Sequence, residues 1–241
     1  MRKLQSLTIF FPFFNDAGTV SAAISDAYKY GRGVANNLEV IAIHGGASTD
    51  NTFEKIKNEK KKHPDLIIIN KTNNTERYAV IKYGFYKATK EWIFYTDGDL
   101  QYSLKELYKL IKKQWESDAD AVNGYRQQRS DNLIRVWGGG IYRLIVKVLF
   151  KLPIDDLECD FRLIRATFIK KIRLQSRNAS ILLELIKKLE SLGAKFAQVA
   201  VHHYPRSYGK ETYSSFSLLK EKIPGDIKVW KLLKSVYNKK T

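Results

Sequence analysis

Cysteine is nearly absent. Cys159 stands alone in 241 residues, which excludes an intrachain disulfide and says little about compartment. Long apolar runs are missing too. No stretch reaches eighteen residues, so no membrane-spanning helix is encoded. The N-terminus enters a strand-like segment at once, so a cleaved signal peptide is not expected. Acidic residues are scarce beside basic ones, 25 against 42, for a net charge of +17. That surplus favours a polyanionic partner, meaning nucleic acid, an anionic membrane surface or a phosphorylated substrate. The basic residues are spread through the chain without RNA-type aromatic motifs, so nucleic acid is not the expected choice. Neither an internal repeat nor a linker is visible. A chain of this length, 44% hydrophobic and 28% charged, is ordinary for a folded protein with one substantial core.

Periodicity divides the first hundred residues into alternating elements. Leu4–Phe11 reads as a strand, closed by a turn at Pro12 and Asn15. Val20, Ala23, Ile24, Ala27 and Tyr28 form a helical face. A second strand, Leu38–Ile43, leads into a small-residue loop, His44-Gly45-Gly46-Ala47-Ser48-Thr49-Asp50. Thr49 or Asp50 is placed to cap the helix through Phe53 and Ile56. Leu66–Ile69 is the third strand, Tyr78–Ala88 the third helix and Trp92–Tyr95 the fourth strand. This alternation predicts right-handed crossovers and a mostly parallel sheet flanked by helices, an α/β fold.

The segment Ile93–Tyr102 organises the rest. An apolar run ends in Asp97-Gly98-Asp99-Leu100-Gln101, and Ser103 with Glu106 then predicts a capping box for a helix carrying Leu104, Leu107, Leu110 and Ile111. Residues i and i+2 of near-extended backbone point the same way, so Asp97 and Asp99 converge. Two adjacent carboxylates repel and call for a proton, a cation or full solvation. Oxygen donors without cysteine or histidine nearby suit Mg²⁺ or Mn²⁺ rather than zinc. Gly98 would let a ligand approach the backbone closely. A solvated Asp-Gly turn is the competing reading, but loops at the carboxyl ends of strands are where open α/β sheets bind ligands.

Beyond this loop come a strand, Ala119–Asn123, and a turn, Gly124-Tyr125-Arg126. Arg143, Lys147 and Lys151 mark a basic stripe on the apolar helix Ile141–Leu152. Such a helix either lies in a membrane interface or packs in the core with snorkelling cations. Asp155-Asp156-Leu157-Glu158-Cys159-Asp160 then gathers carboxylates ahead of another strand. Ser180 caps an apolar helix ending at Gly193, and Ala194–Val201 is the last strand. A basic amphipathic tail, residues 214–241, sets Ile227, Trp230, Leu233 and Tyr237 against Lys228, Lys231 and Lys234, with Pro224-Gly225 interrupting it.

Five short motifs in order resemble those of family 2 glycosyltransferases with the GT-A fold, and within them the dolichyl-phosphate mannosyltransferase-like (polyprenyl-phosphate glycosyltransferase) branch. They are Phe11-Pro12-Phe13-Phe14-Asn15-Asp16, Ser48-Thr49-Asp50, Asp97-Gly98-Asp99-Leu100-Gln101, the run Asp156–Arg162 with Leu163 and Arg165, and His203-x-x-Arg206-x-x-Gly209. The resemblance covers about residues 4–213. It implies one GT-A nucleotide-diphosphosugar transferase domain over 1–213, with a nucleotide-sugar half to about residue 101 and an acceptor half over 102–213.

By that resemblance, Pro12, Asn15, Asp16, His44, Gly45, Gly46, Ser48, Asp50, Asp97, Gly98, Asp99, Arg126, Arg135 and Arg206 hold the nucleotide sugar. Asp99, Gln101 and Asp97 hold Mg²⁺ or Mn²⁺, with His203 as an additional candidate ligand. Asp97, Asp99, Asp156, Asp160 and Arg126 serve catalysis. The implied reaction is an inverting, metal-dependent transfer to a polyprenyl phosphate or to a glycan hydroxyl, at the cytoplasmic membrane face. Peripheral contact with anionic membrane and a separate membrane subunit are candidate partners. A phosphate acceptor needs no general base; for a hydroxyl, Asp156, Glu158 or Asp160 would act as one. A catalytically inert GT-A scaffold binding anionic lipid or nucleic acid is the reading from another class. Two departures bear on specificity. Gly45-Gly46-Ala47 replaces the family's Asp-Asp-Gly, leaving the backbone or His44 to read the base. Cys159-Asp160 replaces its Ser-Gly, adding a carboxylate on the acceptor side.

Overall fold

The computed structural model describes residues 2–46, 48–71, 77–127, 146–209 and 215–237. Seven strands form one sheet: β1 (Leu4–Phe13), β2 (Ala35–Gly45), β3 (Ile67–Lys71), β4 (Trp92–Thr96), β5 (Ala121–Arg126), β6 (Phe161–Arg165) and β7 (Phe196–Val201). Their order is β3-β2-β1-β4-β6-β5-β7. All run parallel except β6, which is antiparallel to both β4 and β5. The sheet is mostly parallel and flanked by helices, as the sequence predicts.

Helices cover both faces. On one side α1 (Val20–Val34), α2 (Thr52–Lys62) and α4 (Leu107–Ser117) pack against Ile9, Phe11 and Phe94. On the other, α3 (Ile81–Lys87), α6 (Ile181–Ser191) and the C-terminal helix α7 (Ser215–Tyr237) pack against Phe10, Ile41 and Tyr95, with the four-residue α5 (Ala166–Ile169) at the sheet end. The alternation of Ile9 and Phe11 with Phe10 is the two-residue period of a strand buried on both faces. Each of these side chains contributes about 1.5–3 kcal/mol by leaving water.

Chain order reverses between β1 and β4, so the loops leaving their carboxyl ends splay apart and open a crevice. Antiparallel β6 adds a second supply of residues to that edge. Thr96 at the end of β4 pairs with Phe161 at the start of β6, so the segment before β6 arrives where Asp97 departs.

Several local expectations are corrected. The capping box at Ser103 does not form: Glu106 instead accepts hydrogen bonds from the His202 backbone N–H (2.9 Å) and faces its ring nitrogen (2.6 Å). A tertiary partner outcompetes the local one. Neither Ser180 nor Thr49 caps by side chain; Ser180 donates its hydroxyl to the carbonyl of Lys222. Asn51 is the N-cap of α2, while Asp50 accepts from the Thr52 N–H at 3.0 Å. The predicted turn Gly124-Tyr125-Arg126 is the end of β5, held extended by its parallel partner β7.

Nor does Pro224-Gly225 break the tail. The helix α7 is continuous through Pro224. A Cβ on Gly225 would lie 2.3 Å from the Ser180 hydroxyl oxygen, so this glycine lets α7 seat against the start of α6. Seating divides the predicted apolar face. Of its members Leu233 is buried, beside Val229, whereas Ile227 and Trp230 are exposed, with Ile223, Lys228 and Lys231 exposed beside them. Of the predicted helix Ile141–Leu152, residues 141–145, including Arg143, lie outside the described residues. Residues 146–150 are helical, with Val148 and Leu149 exposed and Val146 and Phe150 buried.

Candidate active site

Five segments converge at the carboxyl edge, those after β1, β2, β4 and β7 and the one before β6. The loop after β1 carries Asn15, which adopts a left-handed conformation (φ 53°) that asparagine tolerates. Its backbone N–H donates to the Ser48 hydroxyl (3.2 Å), and its side-chain oxygen accepts from the Thr49 N–H (2.8 Å). Asp50 accepts from the Ala17 N–H at 3.0 Å. Asn15, Ser48 and Asp50 therefore bind two loops into one unit. His44 is buried, its ring nitrogens 2.8 Å from Asn70 and 3.0 Å from Ser48 and its ring stacked on Phe53. Gly45 and Gly46 are buried beside it, and Pro12 ends the same edge of β1.

The loop after β4 is tightly constrained. Leu100 holds a φ of 60°, a left-handed conformation costing a leucine roughly 1–3 kcal/mol. That turn brings the Gln101 N–H back to Asp99 at 3.1 Å. Gln101 also pairs with Tyr204, donating its amide to the Tyr204 carbonyl (3.2 Å) and accepting the Tyr204 N–H on its backbone oxygen (2.8 Å). The structure gives Gly98 a different reason from the one predicted. A Cβ there would sit 2.2 Å from the Phe13 ring, so glycine admits a core phenylalanine.

Arg206 ties two of these loops together. One guanidinium nitrogen lies 2.9 Å from Asp99 and 3.7 Å from Asp16. Asp16 is buried and also accepts from the Phe14 N–H at 2.8 Å. Burial pushes its carboxyl up to about 6, opposed by that hydrogen bond and by Arg206.

Asp97, Asp99, Gln101, Arg126, Asp160 and His203 line one cleft of about 220 Å³, together with Glu158 and Lys222. Asp160 reaches it from the residue before β6. Burial raises Asp97 well above the carboxylate range, and Asp160, Asp99 and Asp16 push it further. Asp160 is pushed up to about 6 by burial, which Arg162, Tyr95, Arg126 and Lys222 only partly offset. Its Oδ1 accepts no hydrogen bond and lies 3.6 Å from Arg162.

Asp156 sits behind this wall. It grips Arg126 through two bonds, 2.7 Å to Nε and 2.8 Å to Nη2, a fork that fixes the plane of the guanidinium. Arg126 also approaches Glu158 at 3.6 Å. Glu158 in turn is 2.6 Å from Lys222, and Lys222 is only 3% exposed. Sequence reading missed Lys222 because it belongs to the tail; its one signal is a lysine seven and eleven positions before the apolar Val229 and Leu233, on their face of the helix. Arg135 lies outside the described residues.

The donor set fits a hard divalent cation. Asp97, Asp99 and Asp160 crowd negative charge at the cleft wall, and Asp97 and Asp160 are costly to ionise without a nearby positive charge. Among the described residues no group of three or more histidine, cysteine, aspartate or glutamate side chains is placed to hold a metal ion by itself. An incomplete shell suits a cation that takes its remaining ligands from substrate phosphates and water.

Residues 8–173 match the family model for glycosyl transferase family 2. The chain is 23% identical over 220 residues to an undecaprenyl-phosphate 4-deoxy-4-formamido-L-arabinose transferase of Shewanella sediminis, covering 90% of this chain and 65% of that protein. It is 20% identical over 208 residues to a dodecaprenyl-phosphate galacturonate synthase of Rhizobium johnstonii, covering 86% and 61%. The chain thus spans less than two thirds of either relative. Among solved structures, glucosyl-3-phosphoglycerate synthase of Mycobacterium tuberculosis with Mn²⁺ and uridine-diphosphate-glucose superposes with a TM-score of 0.69 at 12% identity, over 93% of this chain and 79% of that one.

Proposed function

The chain belongs to glycosyl transferase family 2, and from that premise we propose that it transfers a sugar from a nucleotide diphosphate to polyprenyl phosphate, with inversion at the anomeric carbon. The observation that carries this reading is the placement of Asp97–Gln101. On one side of it stand the Asn15, Ser48 and Asp50 loops; on the other stand the cations Arg126 and Lys222. Donor and acceptor would meet across this loop. Both named relatives act on polyprenyl phosphates and carry different sugars, which supports the acceptor class and leaves the sugar open.

Asp99, Gln101 and Asp97 are the residues that would hold Mg²⁺ or Mn²⁺. When bound, the cation would neutralise charge developing on the departing diphosphate. Arg206, already aligned on Asp99 and Asp16, would clamp that diphosphate from the donor side. An oxygen of the acceptor attacks the anomeric carbon from the face opposite the nucleotide; the bond to the diphosphate breaks and its electron pair leaves with the phosphate oxygen. A phosphate acceptor is already anionic, so no proton has to be removed.

Asp160 favours a second reading, transfer to a glycan hydroxyl. Buried, raised to about 6 and facing the cleft, it has the character of a general base near neutral pH. Product partition separates the two. With Mn²⁺, membranes and radiolabelled nucleotide sugars, label moves into the organic phase in the polyprenyl case. Label recovered only in water sinks it.

The reaction is proposed to occur at the cytoplasmic membrane face, whose anionic leaflet attracts a basic protein. No described helix is long and apolar enough to cross a membrane. Peripheral contact would use Ile223, Ile227 and Trp230, which share one exposed face of α7 at spacings of four and three beside Lys228 and Lys231. The full chain is expected to pellet with anionic phospholipid vesicles at low salt. Replacing Ile227 and Trp230 together by aspartate should cut the bound fraction at least fivefold with unchanged circular dichroism. Undiminished pelleting refutes this surface. Pelleting only with native membranes would point to a separate membrane subunit.

A further inference from the structure

The C-terminal helix contributes to the cleft as well as covering the sheet. Among the described residues, Lys222 is its one charged side chain lining that cleft, 3% exposed and 2.6 Å from Glu158. The position is built. Ser180 donates its hydroxyl to the Lys222 carbonyl, Gly225 allows α7 to touch α6, and Val229 and Leu233 anchor the following turns. Burying a lysine against a half-buried glutamate costs desolvation that their attraction only partly offsets. A buried lysine whose pairing serves no further task is commonly replaceable by an apolar residue. This one lines a cleft with Arg126, which itself lies 3.6 Å from Glu158.

We propose that Lys222 is a specificity-determining residue for the acceptor, binding its phosphate group by exchanging Glu158 for a phosphate oxygen. This rests on the transferase reading above and deepens it. The acceptor side is chosen over the donor side by location. The loops of Asn15, Ser48 and Asp50 follow β1 and β2, whereas Lys222 stands with Glu158 and Arg126 on the side of β5 and β6. Its neighbour in sequence, Ile223, is exposed. Successive residues of one helix thus offer a cation to the cleft and an apolar side chain to the outside, which suits a ligand with an anionic head and a hydrocarbon chain.

The test is binding of farnesyl phosphate and farnesol to the full chain, measured by calorimetry with Mn²⁺ and nucleoside diphosphate present. Three variants are compared: Lys222→Met, Glu158→Gln and the pair together. Lys222→Met alone leaves the half-buried Glu158 with Arg126 at 3.6 Å in place of its close partner and should lower the melting temperature. The double variant removes both charges and should recover most of that loss. The wild type should prefer farnesyl phosphate over farnesol at least tenfold, and the double variant should show less than twofold preference while nucleoside diphosphate binding stays within twofold. A double variant that keeps the tenfold preference overturns the proposal and leaves Lys222 as a folding contact. Weakened nucleoside diphosphate binding with an intact prenyl preference also overturns it, by assigning the lysine to the donor. These are binding readouts, so a wild type that binds farnesyl phosphate yet transfers no sugar would refute the transferase reading and leave this assignment standing.

Discussion

Asp99→Asn should reduce sugar transfer by about a thousandfold, roughly 4 kcal/mol of transition-state stabilisation. The substitution is isosteric but keeps one acceptor oxygen where Asp99 uses two, one for the Gln101 N–H and one for Arg206. What disappears is the negative charge. On the proposed assignment the cation would lose a carboxylate ligand, and Arg206 loses its counter-ion at 2.9 Å. The decisive measurement is the thermal shift produced by a nucleoside diphosphate with and without Mn²⁺, since ligands that bind the folded state raise its stability by mass action. The Mn²⁺-dependent part of the shift should vanish in Asp99→Asn. If it persists, the metal assignment at this loop is wrong.

Asp156→Asn is expected to act chiefly on stability. Arg126 and Asp156 are almost entirely buried and share two short hydrogen bonds. Removing one charge of such a pair leaves the other unpaired in a poor solvent, at a cost of about 3–5 kcal/mol. For a domain of this size that corresponds to roughly 6–20 °C in melting temperature. Glu158 is too distant, at 3.6 Å, to replace the bidentate grip. Were Asp156 instead the base for a hydroxyl acceptor, the variant would lose activity while melting near the wild type. The melting curve therefore distinguishes a residue that positions Arg126 from one that moves a proton.

The parts of this molecule that were legible in the sequence are those whose causes are local. The apolar runs of β1 to β4 and the spacing of Val20, Ala23, Ile24, Ala27 and Tyr28 carry their own burial pattern. The order of short polar motifs marks the loops that meet at the sheet edge. What sequence could not reveal depends on residues far away along the chain. Glu106 abandons Ser103 for His202, 96 positions later. Gly98 answers to Phe13 across the β1–β4 edge, and Pro224 remains helical because Ser180 and Asn178 receive the turn around it. Lys222 looks like one of many tail lysines until the helix is docked. Its partner Glu158 is 64 residues away. The exposed and buried faces of α7 were misjudged for the same reason: a helix with apolar residues on two sides can be oriented only by what it packs against.

The reversed direction of β6 has a consequence for how such a protein can diversify. Because β6 begins at the edge where β4 and β5 end, the segment supplying Asp156, Glu158 and Asp160 leaves and re-enters the sheet at that edge. Its length can change without moving the strands on either side, and the entropic cost of a longer connection grows only slowly with residues added. The Asn15 and Ser48 loops belong to strands on the far side of β4 and share no backbone with it. A lineage could thus exchange one acceptor for another by rewriting the approach to a single strand while the donor half stayed as it was. The same separability makes 153–160 the segment to graft when a transferase of this type is to be retargeted.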